Sequence, residues 1–395
     1  MRPTGNIRPR SKGCFQIRYN LGTDMLTGKR KRVYVNFKGT RQEAEKELRR
    51  ILRTIDTGEY VEPTAIKTGE FLTQWRDAVG NQVGPKTHER YAQIVDHYLI
   101  PRFGACPLIK LSPMAIQQVY IELETKGRYS NKEKGLSPKT RLDIHRIFKL
   151  ALKHAVRMRL ITFNPADNVK APRVVRSSID TLTVEQSAEL LEAVRNKPLY
   201  WPVLLALATG MRRGEILALR WKNVDFDKKT VRVVESIEQT KKGTRFKTPK
   251  TNKTRAIILP DYALNELRRH KEIQTEKLVR LNIDHTPDTL VCARYDGEPL
   301  WPSSLTHEFI KLFQKRPDLP RVRFHDLRHS HATQLLASGI HPKIAQERLG
   351  HSTISTTLDL YSHVTDTMQD EAAAKLDSAY RSVIKTKPIL APKPR

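Results

Sequence analysis

Two stretches near the start of the chain alternate apolar and polar residues. In CFQIRYNL (residues 14–21) and in RVYVNF (residues 32–37), every second side chain is apolar. A period of two is typical of strands that bury one face and leave the other in water. The next stretch, RQEAEKELRRILRTIDTG (residues 41–58), has helical spacing and ends at Gly58. The pattern predicts two half-buried strands and one helix, with basic residues on the outer face of the strands.

Residues 65–170 have the pattern of an all-helical region. Ser112 precedes Pro113, and Ser137 precedes Pro138. A serine N-cap followed by proline at the first helical position is a common helix start. The helix after Ser137 has apolar residues at helical spacing and basic residues on another face. The apolar positions are Leu142, Ile147, Leu150, Ala151 and Val156, and the basic ones are Arg141, Arg146, Lys149, Lys153, Arg157 and Arg159.

The rest of the chain mixes helices with short strands. Thr183 and Gln186 have the spacing of a capping box, which predicts a helix start. TVRVVES (residues 230–236) and RAIILP (residues 255–260) are rich in β-branched residues and predict strands. The predicted fold is therefore multidomain: a small β-sheet-plus-helix domain (1–60), an all-α domain (65–170), a basic linker (171–182), a mixed α+β, mainly α domain (183–380) and a flexible tail (381–395).

The net charge narrows the class of partner. The 71 Lys and Arg residues outnumber the 42 Asp and Glu residues, for a formal charge of +29. Such a chain is attracted to polyanions, and DNA is the usual candidate because neutralised phosphates release counterions. A ribosomal or membrane-surface protein is the alternative that charge alone leaves open. Residues 1–60 also have an excess of basic residues, with 15 basic and six acidic residues.

Cysteine content and hydropathy exclude several other classes. Cys14, Cys106 and Cys292 are odd in number and far apart, so they form neither a disulfide framework nor a CxxC zinc motif. No apolar run has the length of a membrane span, and the first residues lack a secretion signal. We therefore expect a soluble, intracellular protein.

Two stretches of the last domain contain candidate phosphate-binding cations. ATGMRRGEILALRW (residues 208–221) places Arg212 three residues before Glu215, a helical spacing at which the carboxylate can orient the guanidinium. Arg213 is a competing candidate, and a surface ion pair is the simpler alternative. FKTPKTNKTRAIILP (residues 246–260) places Lys250 in a polar turn, predicted as a hairpin tip from which a lysine reaches a phosphate. A solvated turn lysine is the alternative there.

HDLRHSHATQLLASG (residues 325–339) is the most informative stretch. At about 100° per residue, His325, Arg328 and His329 share a helix face. That face should be buried, because it also carries Ala332, Leu335 and Leu336. Cations at a helix N-terminus oppose its dipole and are best tolerated where an anion is bound. A metal pair formed by the two histidines is disfavoured, because the arginine repels a cation and no acidic third ligand lies nearby in sequence.

QERLGHSTISTTLDLYSHV (residues 346–364) supplies His351 and Tyr361. Alone, the histidine would be a helix-end cap and the tyrosine a packing residue. Together with the upstream residues they give five donors or cations suited to a phosphodiester and one nucleophile. No metal-binding carboxylate cluster or phosphate-binding glycine loop is visible. This set of residue types favours transesterification at phosphorus without metal, ATP or another cofactor.

These motifs and their order resemble the catalytic domain of the tyrosine recombinases, also called the phage integrase family. The matching stretches are TGMRRGEILALRW, the PKT turn, HDLRHSHAT and LGHSTISTTLDLYSHV. LSPKTRLDIHRIFKLALKHAVRMRLITFNPADNV resembles the family's helical core-binding domain. GCFQIRYNLGTDMLTGKRKRVYVNFKGTRQEAEKEL resembles the arm-type DNA-binding domain of integrases from temperate phages and integrative elements.

The resemblance implies a role for each candidate residue. Tyr361 would attack the scissile phosphate, which gives a 3′-phosphotyrosyl bond and a free 5′-hydroxyl. Arg212 and Arg328 would hold the non-bridging oxygens and stabilise the transition state. Lys250 would protonate the leaving 5′-oxygen as general acid.

The remaining site residues would assist these steps. His325 would hydrogen-bond the phosphate and aid proton transfer from Tyr361, and His351 would donate a further hydrogen bond. Glu215 would orient the Arg212 region. The register of the family motif favours Arg212 over Arg213.

The implied function is site-specific recombination by the integrase of a mobile element, through a Holliday junction. Implied partners are core and arm DNA sites, a homotetramer, an excisionase and a host DNA-bending protein. EAAAKLDSAYRSVI (residues 371–384) has a helical pattern. The resemblance implies that this segment docks on a neighbouring protomer.

Three alternatives remain. A plasmid or chromosome-dimer resolution recombinase usually lacks an arm domain, so residues 1–60 argue against it. A type IB topoisomerase shares the chemistry but needs neither arm sites nor a tetramer. A non-catalytic DNA-binding protein would be free to lose members of the six-residue set, all of which are present.

Overall fold

The chain divides into two compact units, Met1–Arg176 and Ser177–Arg395. The structure is a computed structural model. The boundary between the units falls inside the predicted linker, while the division into three domains stays a prediction. The structure describes residues 4–23, 28, 30–57, 60, 66–175, 180–249, 254–354, 358, 373–374 and 376–381.

The first unit contains a sheet followed by helices. Val95–Leu99 is a π-helical turn, and Leu108–Lys110 and Pro165–Asn168 are 3-10 turns. Its strands are β1 (Gly5–Ser11), β2 (Cys14–Thr23) and β3 (Arg30–Lys38), and its helices are α1 (Arg41–Asp56), α2 (Thr68–Gly80), α3 (Pro85–Ile94), α4 (Ile100–Phe103), α5 (Pro113–Thr125) and α6 (Pro138–Arg157).

The sheet of the first unit has three antiparallel strands in the order β1-β2-β3. The prediction of two strands was incomplete, because β1 has one aliphatic residue, Ile7, and no visible alternation. Apolar side chains of β2, β3 and α1 form one hydrophobic cluster. Ile17 and Tyr19 are buried there with Ala44 and Ile51 of the helix.

The helical part of the first unit has its own hydrophobic cluster, separate from that of the sheet. The side chains of Ser112 and Ser137 accept from the amides of Ala115 and Thr140, which confirms both predicted N-caps. Leu150 is one of the apolar positions at helical spacing in α6, but it is exposed. The positions that face the core at the middle of α6 are Ile144, Ile147, Phe148, Ala151 and Leu152.

In its described residues, the second unit is mainly helical with two small sheets. Its helices are α7 (Val184–Val194), α8 (Tyr200–Thr209), α9 (Arg213–Leu217), α10 (Asp261–Arg280), α11 (Pro302–Lys315), α12 (Asp326–Ala337) and α13 (Pro342–Leu349). Its strands are β4 (Val224–Asp225), β5 (Thr230–Val233), β6 (Ser236–Thr240), β7 (Gly243–Lys247) and β8 (Arg255–Ile258).

Helix α8 lies at the centre of this unit and is buried along its whole length. Its sequence, YWPVLLALAT, is apolar on every side, as expected for a helix surrounded by protein. The helix packs against α7, α9, α10 and α12. The capping box of α7 is present: Thr183 accepts from the Gln186 amide, and the Gln186 side chain accepts from the Thr183 amide.

Strands β7 and β8 belong to different sheets. β7 pairs with β6, whereas β8 pairs with β5 in the sheet ordered β4-β5-β8. The predicted hairpin tip around Lys250 was therefore wrong, because the strands that flank this segment do not pair with each other. Lys250 itself lies outside the described residues.

Among the described helices, none combines the length and the apolar character needed to cross a membrane.

Candidate active site

Arg212 is the residue directly before α9, and it is fixed by Glu215 on that helix. The Arg212 amide donates to Glu215 Oε2 at 3.0 Å, and its guanidinium donates to Oε1 at 2.8 Å. The carboxylate is 2% exposed and the Arg212 side chain 28% exposed. The ion pair expected from the three-residue spacing is thus present at the first turn of the helix, where a carboxylate also complements the dipole.

Arg213 lies outside this arrangement. Its guanidinium donates to the hydroxyl of Thr306 on α11. Among the contacts described, Arg212 therefore pairs with Glu215, whereas Arg213 pairs with Thr306.

Arg328 lies in the first turn of α12 and is 3% exposed. It donates to the carbonyl of Gly210 at 2.6 Å and to the carbonyl of Leu349 at 2.8 Å. Both carbonyls end helices, α8 and α13, where carbonyl groups lack helical partners and the dipole is negative. Burial, and then the charge of Arg212, lowers the pKa of Arg328 to about 9, which leaves the guanidinium charged at neutral pH.

Three successive backbone carbonyls at the end of α13 each accept a hydrogen bond from a different arginine. Arg255 donates to the carbonyl of Arg348 at 3.0 Å, Arg328 to that of Leu349 at 2.8 Å, and Arg212 to that of Gly350 at 3.1 Å. Gly350 has φ 68°, a left-handed conformation that favours glycine, and it ends the helix. His351 follows directly.

Arg255 is a member of this cluster that the sequence did not reveal. It begins β8 and donates from both terminal nitrogens to Glu215, at 3.2 and 2.6 Å. Glu215 lies 40 residues earlier and Arg348 lies 93 residues later. The sequence places Arg255 five residues after Lys250, which links it to the site motifs. This position does not predict its contacts with Glu215 and Arg348.

His325 is the N-cap residue of α12, and part of this residue is exposed. The rings of His325 and His329 lie edge to face with centroids 5.1 Å apart. Desolvation, and then the charges of His329 and Arg328, lowers the pKa of His325 to about 4. The imidazole is therefore neutral at neutral pH, which removes the expected conflict with the helix dipole.

The predicted core face of α12 is only partly correct. Arg328, Ala332 and Leu336 are buried, whereas Leu335 and His329 are half-buried. Within the described residues, no group of three His, Cys, Asp or Glu side chains is placed to hold a metal. The two histidines at the start of α12 therefore have no third ligand from that part of the chain.

His351 is half-buried beside the same arginines. Desolvation, followed by the charges of Arg328 and Arg212, lowers the pKa of His351 to about 4. A neutral imidazole near two guanidinium groups can donate one N–H to a phosphate oxygen. A bound phosphate would in turn raise the pKa of this ring, because an anion favours the charged form.

Another histidine, His331, contacts both the end of α8 and the end of α13. The Arg348 guanidinium donates to His331 Nε2 at 3.1 Å and to the Ala208 carbonyl at 2.9 Å. Nε2 therefore carries no proton, and Nδ1–H donates to the Leu207 carbonyl at 2.7 Å. These bonds tie the end of α13 to the end of α8.

The structure thus brings four of the six predicted site residues to one place, formed by the starts of α9 and α12 and the end of α13. Arg212 and Arg328 both contribute to the electrostatic environment of His325 and of His351. The guanidinium groups of Arg212 and Arg255 bind the buried Glu215 carboxylate, and Arg328 lies within electrostatic range of it. The site therefore has excess positive charge and neutral imidazole donors. It can bind an anion and stabilise charge that develops on its oxygens. The other two, Lys250 and Tyr361, lie outside the described residues.

Comparison with known proteins places two segments in families. Residues 180–368 match the phage integrase family, and residues 68–123 match the phage integrase N-terminal SAM-like domain. All four described site residues lie within the first match.

Two curated relatives align along almost the whole chain. The "Tyrosine recombinase XerC-like" protein of Caldanaerobacter subterraneus subsp. tengcongensis is 28% identical over 95% of this chain and 98% of its own length. The ICEBs1 integrase of Bacillus subtilis is 27% identical over 94% of this chain and 99% of its own.

A solved structure has the same fold. The Tn1549 transposon integrase (residues 82–397), in complex with circular intermediate DNA, superposes with a TM-score of 0.63 at 22% identity. The match covers 79% of this chain and 99% of the other.

Proposed function

Because the chain belongs to the phage integrase family of tyrosine recombinases, we propose that it is the integrase of a mobile genetic element. The observation that carries the proposal is the convergence of Arg212 and Arg328 beside two neutral histidines, His325 and His351. These groups come from three helix ends, and they match the phosphate-binding positions of the family motifs residue by residue.

The proposed reaction begins with the Tyr361 hydroxyl. Its oxygen attacks the scissile phosphorus while the bond from phosphorus to the 5′-oxygen breaks, and the products are a 3′-phosphotyrosyl bond and a 5′-hydroxyl. Lys250 supplies the proton that the leaving 5′-oxygen takes up. His325 hydrogen-bonds the phosphate and aids proton transfer from Tyr361, and His351 donates a further bond.

The arginines stabilise the transition state in this scheme. Arg212 and Arg328 direct N–H donors at the non-bridging oxygens, on which charge develops. The phosphotyrosyl bond conserves the energy of the broken phosphodiester. A 5′-hydroxyl of the partner duplex can therefore attack it and release the tyrosine, with no ATP consumed. Two such exchanges pass through a Holliday junction.

Recombination of two duplexes in this way requires four protomers. We propose a homotetramer on core-site DNA, with an excisionase and a host DNA-bending protein as accessory partners. The C-terminal segment would dock on a neighbouring protomer. Residues 373, 374 and 376–381 of that segment are helical, with Leu376 and Tyr380 exposed.

The three-stranded sheet supports a role in binding arm sites. None of its three strands contains an acidic residue. The strand register places Arg18 opposite Tyr34 and Asn20 opposite Arg32 on the outward face. A β-sheet with a basic polar face can enter the major groove. We propose that residues 1–60 bind arm sites while residues 65–170 and 183–380 hold the core site, all at the bacterial nucleoid.

A resolution recombinase is the second candidate, and the XerC-like name of one full-length relative favours it. The two functions differ in their need for arm sites. Deletion of residues 1–60 should abolish integration on long attachment sites and leave core-site cleavage intact. Full recombination by the truncated chain on core sites alone would favour the resolution function.

A nicked suicide substrate tests the chemistry directly. The duplex carries the core site from the ends of the element, with a nick a few nucleotides 3′ of the scissile phosphate. The short 5′-hydroxyl fragment then diffuses away and traps the covalent complex. Wild-type protein should form a protein–DNA adduct that survives denaturation, and Tyr361→Phe should form none.

Tyr295→Phe is the matched control, because Tyr295 is an exposed tyrosine of the same unit. It should form the adduct as wild type does. An adduct that persists in Tyr361→Phe would contradict the nucleophile assignment.

A further inference from the structure

Arg255 lies at the first position of β8 and connects three parts of the candidate active site. Its side chain is 10% exposed. One end of the guanidinium donates to both carboxylate oxygens of Glu215, and Nε donates to the carbonyl of Arg348. The planar group therefore spans the start of α9 and the end of α13.

Glu215 receives this arginine and Arg212 together. The Arg212 amide and the Arg255 Nη2 both donate to Oε2, while the Arg212 and Arg255 Nη1 atoms both donate to Oε1. Burial acts to raise the pKa of Glu215, but the hydrogen bonds and charge of Arg255, and then of Arg212, hold it below its ordinary value. The carboxylate is thus shared, and its position depends on both partners.

The turn before His351 packs against the same guanidinium. A Cβ atom placed on Gly350 would lie 3.1 Å from both Cδ and Nη1 of Arg255. Arg212 also donates to the Gly350 carbonyl. Arg255 therefore contacts Glu215, which orients Arg212, and the backbone that leads into His351.

We propose that Arg255 is a positioning residue for phosphodiester cleavage: it holds Glu215 and the end of α13 so that Arg212 and His351 face the same phosphate. This inference rests on the proposed function. Arg255 does not touch the phosphate in this scheme; it acts through Glu215 and through the backbone of Arg348 and Gly350. A planar group with three donors in fixed directions is needed, which lysine cannot supply.

The competing explanation is that the buried ion pair only stabilises the fold. Arg255→Lys separates the two, because it keeps the positive charge beside Glu215 but removes the bond to the Arg348 carbonyl. Arg232→Lys is the matched control. Arg232 lies on the neighbouring strand β5, opposite Ala256, and is exposed.

The test compares two core-site substrates in single-turnover strand cleavage. One has a normal scissile phosphate. The other has a methylphosphonate, in which a methyl group replaces one non-bridging oxygen and removes its charge. A neutral linkage needs less stabilisation from Arg212, so a defect in the placement of that guanidinium matters less there.

On the phosphate substrate we expect Arg255→Lys to cleave about 10-fold to 100-fold more slowly than wild type, as for a group displaced by roughly an ångström. On the methylphosphonate its rate should come within about threefold of wild type. DNA affinity should match that of Arg232→Lys, which should cleave both substrates at wild-type rates. This pattern would support positioning.

Wild-type cleavage of the phosphate substrate by Arg255→Lys would overturn the proposal. Equal slowing of cleavage on both substrates would also overturn the proposal, because it is the result expected from general damage to the fold. Failure of the proposed function gives a different result: wild type would then form no adduct on the suicide substrate.

Discussion

The two basic regions of the chain use positive charge in opposite ways. On the outward face of the three-stranded sheet, arginines such as Arg8 and Arg32 are exposed, and the strands contain no carboxylate. In the candidate active site, Arg328 is buried and Arg212 and Arg255 share one buried carboxylate. The first arrangement attracts a polyanion from a distance, and the second fixes donors in defined directions.

Salt should distinguish the two regions. Exposed cations that neutralise phosphates release counterions, so their contribution weakens as salt rises. Buried guanidinium groups are screened much less, and their contribution depends on donor geometry. Substitutions in the two regions should therefore change different measured quantities.

The largest expected effect follows substitution of Arg328. Arg328→Lys should slow single-turnover cleavage by about 100-fold to 1,000-fold, because one ammonium cannot bond the carbonyls of Gly210 and Leu349 and still face a phosphate. The ratio of the wild-type and variant rates should change little between low and high salt. Core-site affinity should be retained.

Arg323→Lys is the control for Arg328. Arg323 lies in the same segment, but its side chain is 77% exposed and pairs with Asp326. This control should cleave at close to the wild-type rate. If the Arg328→Lys rate instead approached the wild-type rate as salt was lowered, Arg328 would act through long-range electrostatic attraction, like the exposed arginines of the sheet.

An intermediate effect is expected on the sheet. The double variant Arg8→Ala/Arg32→Ala should weaken binding to arm-site DNA by about tenfold near physiological salt. The slope of log affinity against log salt should fall by about one for each phosphate that is no longer neutralised. Cleavage of the nicked core substrate should be unchanged.

Arg49→Ala is the control for the sheet, because Arg49 is exposed on α1 rather than on a strand. It should leave arm-site affinity at the wild-type level. If the salt slope is unchanged in the double variant, the outward face of the sheet is not part of the arm-binding surface.

The smallest expected effect concerns pH. Burial lowers the pKa of His331 to about 4. In the unfolded chain the ring has its ordinary pKa of about 6.5, so between pH 6.5 and 4 the unfolded state binds more protons. The free energy of unfolding should therefore fall as pH falls through this window, by up to about 1.4 kcal/mol per pH unit for each proton.

His331→Asn tests that expectation, because asparagine can still donate to the Leu207 carbonyl but does not titrate. Urea unfolding at pH 7.5 and pH 5 should show the variant less stable than wild type at pH 7.5 and closer to it at pH 5. Equal pH dependence in the two proteins would mean that His331 does not titrate on unfolding. Cleavage at neutral pH should change less than with Arg328→Lys.

Local features of the fold were predictable from sequence, and long-range ones were not. The N-caps at Ser112, Ser137 and Thr183 depend on residues within one helical turn, so their patterns were sufficient. Strand β1 was missed because its stability comes from pairing with β2 rather than from its own alternation. Leu150 has the correct helical spacing, but its side of α6 faces outward.

The same distinction applies to the site. The pairing of Arg212 with Glu215 followed from a three-residue spacing. The choice of Arg212 over Arg213 rests on the family register and stays a prediction, although the two side chains contact different partners in the structure. Arg255 could not be found, because its partners lie 40 and 93 residues away. The contact between His331 and Arg348 is likewise a product of tertiary packing. For Lys250 and Tyr361 the assignment rests on the sequence motifs.

The three backbone carbonyls at the end of α13 affect which substitutions the site can accept during evolution. The arginines at 212, 255 and 328 bond main-chain oxygen, which every amino acid supplies. Substitutions at 348 and 349 change the side-chain contacts of Arg348 and of the buried Leu349, but the acceptor carbonyls persist. Gly350 has less freedom, because its φ of 68° favours glycine. We expect sequence divergence among active relatives to be tolerated at the first two positions before it is tolerated at the third.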